Sequence, residues 1–407
     1  MEEWDVRLLE HTAIRNETSM DFRVWNELER AGFINHFEFP VISDLRRIRE
    51  DVNAQMLTDR TLALISDAVG SSDKVRRVTD RYIKLAEENN ISVIGRGDTR
   101  YPCIWDHLSG MPPVIFVKGD LSTLYELDIN GGASMVGSRK PGRYALYATG
   151  EFSAKLSQKN VVIVSGLAMG IDAKAHDACI NSGGKTVAVV PGGCDVIYPY
   201  QNKDLYDRIC ENGVILSELP PGQEIIKQYF PSRNRLISAL SDVCLIMEAG
   251  RYSGTLHTAS FAAAQSREVF VLPNSIYDEN SVGGLLLLRD GAEVLIDVDT
   301  VYERIREASE YRGDEVKEQY SIICTPGEKC DISRLRYKAK DSPESLTESE
   351  WKDLVCDEVS EKPKNIDELC ISLGIPFSFL SALVTGLETE GRIANDRGKY
   401  VLTIHGR

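Results

Sequence analysis

From residue 131 to about residue 300, apolar runs of strand length alternate strictly with amphipathic helical ones, and no other pattern in the chain restricts its fold as much. The strand runs are ASMVG (133–137), VVIVS (161–165), TVAVV (186–190), VILSE (214–218), VCLIM (243–247), VFVL (269–272) and EVLID (293–297). Helical patterns fill the intervals at 143–159, 173–182, 203–212, 231–240, 255–266 and 281–290. Unbroken β-branched runs such as Val161 to Val164 predict strands covered on both faces, the condition of a parallel sheet flanked by helices. The alternation therefore predicts an α/β doubly wound parallel sheet. Right-handed crossovers bring every strand's carboxyl end to one edge, so the segments that follow the strands are where chemistry is expected.

The flanking regions read differently. Residues 1–90 carry short amphipathic helical pieces, with capping signals at Ser19, Ser43, Thr58 and Ser72 and terminators at Gly32 and Gly70. ISVIG (91–95) and VIFVKG (114–119) flank a proline-containing irregular stretch and are expected to start the sheet or cover its edge. Residues 305–347 are rich in charge and turn formers and predict a linker. Helical patterns at 348–359, 366–373 and 377–390, followed by the hairpin RIANDRGKYVL, describe a winged helix-turn-helix over 348–407. Its recognition helix, FSFLSALVTGLETE, has no Lys or Arg, which favours protein docking or weak DNA contact over major-groove reading. The expected domains are thus 1–90, 91–304 and 348–407, with 305–347 as the linker.

The net charge of −15 argues against a general nucleic-acid binder, so its distribution matters. Residues 131–300 carry 15 basic and 18 acidic side chains, against 16 and 23 over 1–130, which leaves the centre nearest neutral. A polyanion is expected to find its partner cations there. No segment resembles a signal or membrane span, and nine cysteines without a CxxC pair predict reduced thiols in a cytoplasmic protein with no metal site.

Five turns at the strand ends carry candidate residues. The stretch VVIVSGLAMGIDAKAH (161–176) turns from strand to helix through Ser165 and Gly166 to Gly170, where free N–H groups and the helix dipole suit an anion, although an ordinary tight turn would read the same. Asp172 and His176, at i and i+4, are either an acid/base pair or a cap and a packed histidine. Gly137-Ser138-Arg139-Lys140 follows the first strand with a close-approach glycine, a hydroxyl and two cations, or forms a solvated surface turn. Pro191-Gly192-Gly193 follows the third strand and Tyr198-Pro199 lies just beyond. Phe230-Pro231-Ser232-Arg233-Asn234-Arg235 is the most specific piece, offering two guanidinium forks, an amide and a stacking ring. Ser253-Gly254-Thr255 supplies hydroxyls and N–H groups at another helix start, with His257 beside it. No Walker loop, GxGxxG, HExxH or GxSxG is present, so nucleotide hydrolysis, nicotinamide chemistry and acyl transfer all lack support.

Seven motifs, in order, resemble those of the DNA-processing protein A family, DprA or Smf. They are MVGSR (135–139), VSGLAMGIDAKAH (164–176), YPYQN (198–202), LSELPPG (216–222), FPSRNRLISALSD (230–242), EAGRYSGTLHTA (248–259) and RDGA (289–292). The resemblance implies an extended Rossmann-like fold with a helical, SAM-like amino-terminal module and a terminal winged helix. It implies a homodimer that binds single-stranded DNA without catalysis or cofactor and helps load the RecA recombinase onto strands that single-strand-binding protein would otherwise occupy, as in natural transformation. Arg139, Arg233, Asn234 and Arg235 would contact the strand, Phe230 would stack, and Gly166, Gly170, Ser253 and Gly254 would shape the pocket. The chain departs from the family pattern at Met169, where Lys or Arg is common, at Asn274, where glycine is typical, and at Leu285, often asparagine. A nucleotide-processing enzyme of the phosphoribohydrolase kind is the alternative, but its joined PGGxGTxxE signature is absent: PGGC (191–194) and SGTLHT (253–258) stand apart. A protein-interaction scaffold acting through the winged helix is a third reading.

Overall fold

The computed structural model describes residues 3–321 apart from 21, 32, 35–38, 52, 53, 55 and 99, and beyond them 355, 369, 384, 387, 393–396 and 399–402. The chain divides into two compact units, Met1–Ile322 and Ile323–Arg407. In the second, a hairpin of β10 (Ile393–Asp396) and β11 (Lys399–Leu402) stands where the wing was expected, with Ile393 opposite Leu402. The helices expected at 348–390 lie outside the described residues except for single buried positions such as Leu369 and Leu387.

Five helices open the first unit: α1 (Glu3–Glu17), α2 (Phe22–Arg30), α3 (Ile42–Glu50), α4 (Asp59–Gly70) and α5 (Ser72–Glu88). Of the capping signals, Thr58 acts as expected, its Oγ1 accepting from the Thr61 amide at 3.3 Å. Ser43 lies inside α3 instead of before it, and Ser72 begins α5. The start of α3 is secured by Asp44, whose carboxylate accepts from the Val41 amide at 3.0 Å, because a valine N-cap has no acceptor of its own. Leu8, Leu9, Leu28, Leu45 and Ile65 are fully buried in one core that extends to Phe116 and Ile215 of the sheet, so these helices pack on the sheet's edge.

The sheet has nine strands. Its antiparallel margin is β1 (Ile91–Gly95) paired with β2 (Val114–Gly119), and β2 in turn runs antiparallel to β6 (Gly213–Ser217). After α6 (Ser122–Asn130) the parallel part is wound from β3 (Gly132–Gly137), α7 (Arg143–Gln158), β4 (Val162–Ser165), α8 (Ile171–Asn181), β5 (Thr186–Val189), α9 (Lys203–Asn212) and β6. The chain then returns through α10 (Tyr229–Ala239) to β7 (Val243–Glu248), α11 (Thr255–Ala264), β8 (Glu268–Val271), α12 (Val282–Arg289) and the short β9 (Glu293–Val294). The order is β1-β2-β6-β5-β4-β3-β7-β8-β9, so the winding reverses at β3, which has β4 on one side and β7 on the other. Both faces are covered, which explains the unbroken apolar strands: Val162 and Val164 face one core and Ile163 the other, all without exposure.

The expected elements stand within one or two residues of their predicted bounds, except that β9 stops at Val294. A second correction concerns the expected linker: α13 (Val298–Ser321) runs well past residue 305. Its buried Val301 and Ile305 belong to the sheet's second core, so packing holds in a helix a segment whose charged composition alone reads as irregular.

His11 joins α1 to the segment before α3. Its Nδ1–H donates to the Pro40 carbonyl at 3.2 Å, and its ring lies 4.9 Å from Trp25 and 5.5 Å from Phe39. Burial pushes its pKa down from 6.5 to about 4, with the Arg15 and Arg7 charges adding to the effect and the Pro40 contact opposing it. The folded chain keeps this imidazole neutral while the unfolded chain protonates it below 6.5, so the stability it contributes is present above that pH and is lost as pH falls towards 4. Urea melts at pH 7.5 and 5.0 should show this loss. His11→Asn, which retains a donor for Pro40, should show a smaller one, and an unchanged difference between the two pH values would remove His11 from the account.

Candidate functional site

In a doubly wound sheet the helices on either side of the reversal diverge to opposite faces, which leaves a crevice beyond the strands' carboxyl ends. A cavity of about 350 Å³ opens there, at the end of β3. Four segments line it. Gly137, Ser138 and Arg139 come from the end of β3, Ala168 and Asp172 from the turn after β4 and the start of α8, Phe230, Pro231, Arg233, Asn234 and Ile237 from α10, and Ser253, Gly254, Thr255, His257 and Thr258 from the start of α11. Nine of the residues expected from sequence are thus brought together, whereas Lys140, Ser165, Gly166, Gly170 and Arg235 do not line the cavity.

The reasons differ from residue to residue. Ser165 is fully buried and its hydroxyl donates to the Met135 carbonyl at 2.6 Å, tying β4 to β3. Gly170 has φ of +83°, and a Cβ there would fall 2.4 Å from the Ser138 oxygen and 2.8 Å from Pro141 Cδ; it is the point where the two loops touch. Gly166 covers a guanidinium: a Cβ on it would lie 1.9 Å from Arg233 Nη1. Arg233 is only 5% exposed, and the same nitrogen donates to the Val189 carbonyl at 2.6 Å. Burial pushes its pKa down to about 10 despite the opposing charge of Asp172. Arg235 leaves the site altogether. Two residues along a helix is about 200° of rotation, so its side chain meets Glu218 at the end of β6 and forms an ion pair there.

The anion seat expected in the turn after β4 is filled from within. The Ala168 amide donates to Asp172 Oδ2 at 3.4 Å, and the Gly166 amide also bonds this carboxylate. Burial raises the Asp172 pKa, with the Arg233 charge, the two amides and Arg139 pulling the other way. The Asp172–His176 pair is not made: His176 is fully buried, its Nδ1 hydrogen-bonds to Thr186 Oγ1 at 2.7 Å, and burial pushes its pKa down to about 3.

What remains open to a ligand is Arg139. This side chain is exposed, and its guanidinium carbon lies 5.3 Å from the centre of the Phe230 ring. Tyr198 meets the same ring edge-on, with centroids 5.9 Å apart and planes at 72°. The sequence gives Tyr198 as the start of the YPYQN motif but assigns it no part in the site. Its role depends on a contact across 32 residues that no local pattern encodes. On the far wall the Ser253 hydroxyl donates to Thr255 Oγ1 at 2.9 Å and accepts from the Thr255 amide at 3.2 Å, which fixes both hydroxyls at the start of α11. The cavity therefore combines an exposed cation on an aromatic face with a bank of hydroxyl, amide and imidazole groups, a set suited to phosphate and base contacts. Among the described residues no group of three or more His, Cys, Asp or Glu is placed to hold a metal ion.

Gly166→Ala should drive Arg233 from its place and destabilise the chain by roughly 1–3 kcal/mol in urea melts. Gly70→Ala, at a helical position with nothing within 4 Å of the new Cβ, should stabilise it by up to about 1 kcal/mol. Equal stability of Gly166→Ala and the parent would contradict the interlock.

Comparison with known proteins adds an independent line. A family model described as DNA recombination-mediator protein A matches residues 92–306. The Smf protein of Synechocystis is 31% identical over 331 residues, 78% of this chain and 81% of that protein. The DNA processing protein DprA of Bacillus subtilis is 34% identical over 227 residues, 56% of this chain and 75% of its own. The X-ray structure of DNA processing protein A from Streptococcus pneumoniae superimposes with a TM-score of 0.56 at 30% identity, covering 69% of this chain and 96% of that one.

Proposed function

This chain belongs to the DNA recombination-mediator protein A family, and on that premise we propose that it binds single-stranded DNA at the cavity beyond β3 and mediates homologous recombination without catalysing a reaction. The observation that carries the reading is Arg139 held over Phe230, with Tyr198 against the ring's edge. A base can stack on an aromatic face while the guanidinium takes the neighbouring phosphate, and neither contact depends on sequence. The hydroxyls of Ser253 and Thr255 and the Asn234 amide stand across the cavity to meet sugar, phosphate or base edge.

The charge arrangement supports a site of this kind in a chain of net charge −15. Arg233 and Asp172 form a buried, mutually compensating pair of charges beneath the surface, so the attraction for phosphate is concentrated on Arg139 and its neighbour Lys140. In the fuller form of the proposal the protein acts in the cytoplasm as a homodimer, helping load the RecA recombinase onto single strands in competition with single-strand-binding protein, as in natural transformation.

The test is a titration with a labelled oligonucleotide at several salt concentrations. The log–log slope should fall by about 0.7 in Arg139→Ala, one phosphate's share on a single strand. It should not change in Arg235→Gln, whose charge is engaged by Glu218. Phe230→Ala should weaken binding by about 1 to 3 kcal/mol. Binding that does not depend on salt, or release of free base from a nucleoside monophosphate, would overturn the proposal.

A further inference from the structure

One surface next to the cavity combines cations and aromatic rings that the folded chain leaves uncovered. The loop that supplies Arg139 continues through the exposed Lys140 into α7, whose first residues are Arg143 and Tyr144, with Tyr147 one turn on. Tyr144 is 51% and Tyr147 72% exposed, while the opposite stripe of the same helix, Ala145, Ala148, Phe152 and Leu156, is buried. A tyrosine ring turned to water does nothing for the core, and here two stand together at i and i+3.

The cations lie on the same side. Arg143, Tyr147 and Gly150 share one stripe of α7 at spacings of four and three residues. Lys174 of α8 lies across the end of that stripe: a Cβ on Gly150 would fall 2.7 Å from Lys174 Cε. Met169, 43% exposed, precedes Gly170, which presses against Ser138 and Pro141 of the loop that carries Lys140. Neither Arg143 nor Lys174 makes an ion pair among the described residues. The carboxylates nearby are engaged: Glu151 with Lys155, Asp177 with Arg208, Glu248 with the Gly142 amide and Asp172 in the interior. The first turn of α7 contains no acidic residue. The patch is therefore cationic in a chain that is acidic overall, it is interleaved with aromatic rings, and it is continuous with the cavity through Arg139 and Lys140.

We propose that Lys140, Arg143, Tyr144, Tyr147 and Lys174 form a track on which a single strand of DNA continues after leaving the cavity, its bases stacking on the two tyrosines and its phosphates meeting the three cations. This rests on the cavity being the strand's first binding point. The chemistry is the usual one for sequence-tolerant single-strand binding, a positive path with aromatic platforms along it. The track also supplies the cations that a methionine at 169 does not.

Labelled oligothymidylates of about 4 and about 16 nucleotides, near the ends of the usual range of single-strand site sizes, separate the cavity from the track. Tyr147→Ala should weaken the long strand by about 5-fold to 150-fold and leave the short one within about twofold. The double variant Arg143→Gln, Lys174→Gln should lower the log–log salt slope for the long strand by about 1.4 and leave that for the short one unchanged. If these variants bind the long strand like the parent while Arg139→Ala loses it, the cavity reading stands and the track is overturned. Equal losses on both lengths would mean that the patch acts by shaping the cavity, and would overturn the track as well. Failure of the parent to bind either strand would overturn the cavity reading and the track together.

Discussion

The reversal of strand order at β3 is the constraint on which the rest of the molecule depends. A parallel sheet wound in one direction closes its loops over one another, and only where the winding turns back do neighbouring crossovers part. Here β3 has β4 and β7 as parallel neighbours, and the loops beyond these strands border the cavity. The antiparallel β1 and β2 and the five amino-terminal helices extend and cover the β6 margin. They add buried apolar area, in a core that also takes in Leu167 of the turn after β4.

Within the crevice one interlock decides which charges remain usable. Arg233 passes beneath the turn after β4, where only a glycine at 166 leaves room, and its guanidinium reaches the Val189 carbonyl. Asp172 holds the same turn closed from the other side through the Ala168 and Gly166 amides. The two opposite charges offset part of each other's desolvation, as buried charges must if both are to remain ionised. The consequence is a division of roles among three arginines close together in the site or its motif. Arg233 supports the wall, Arg235 fastens α10 to β6 through Glu218, and Arg139 is left to meet a ligand.

Much of this was legible in the chain. The alternation of period-two and helical patterns located the strands and helices of the parallel sheet, because a strand buried on both faces has to be apolar throughout. The family motifs identified the four segments that line the cavity. Less legible was the direction of individual side chains. Arg233 and Arg235 read alike as guanidinium forks, yet helical geometry sends them to opposite sides. The turn from Ser165 to Gly170 read as an anion seat with open N–H groups, and the anion turned out to be the chain's own Asp172. The helix Val298–Ser321 was hidden by its charge, since the few apolar residues that hold it pack on a core made elsewhere.

By itself, then, the sequence determined the order and kind of the elements in the central sheet, and hence that the segments following the strands gather at one edge; that the winding reverses at β3 was decided by the tertiary structure. Those follow from short-range hydrophobic period and from the handedness of crossovers, which hold whatever the remaining side chains do. Only the tertiary structure decided that Arg139 is the exposed cation of the cavity wall, that Tyr198 braces Phe230 and that Arg233 is part of the interior. Each of these depends on contacts between segments distant in the chain, where one helical turn or one missing Cβ determines whether a charge faces water or a carbonyl.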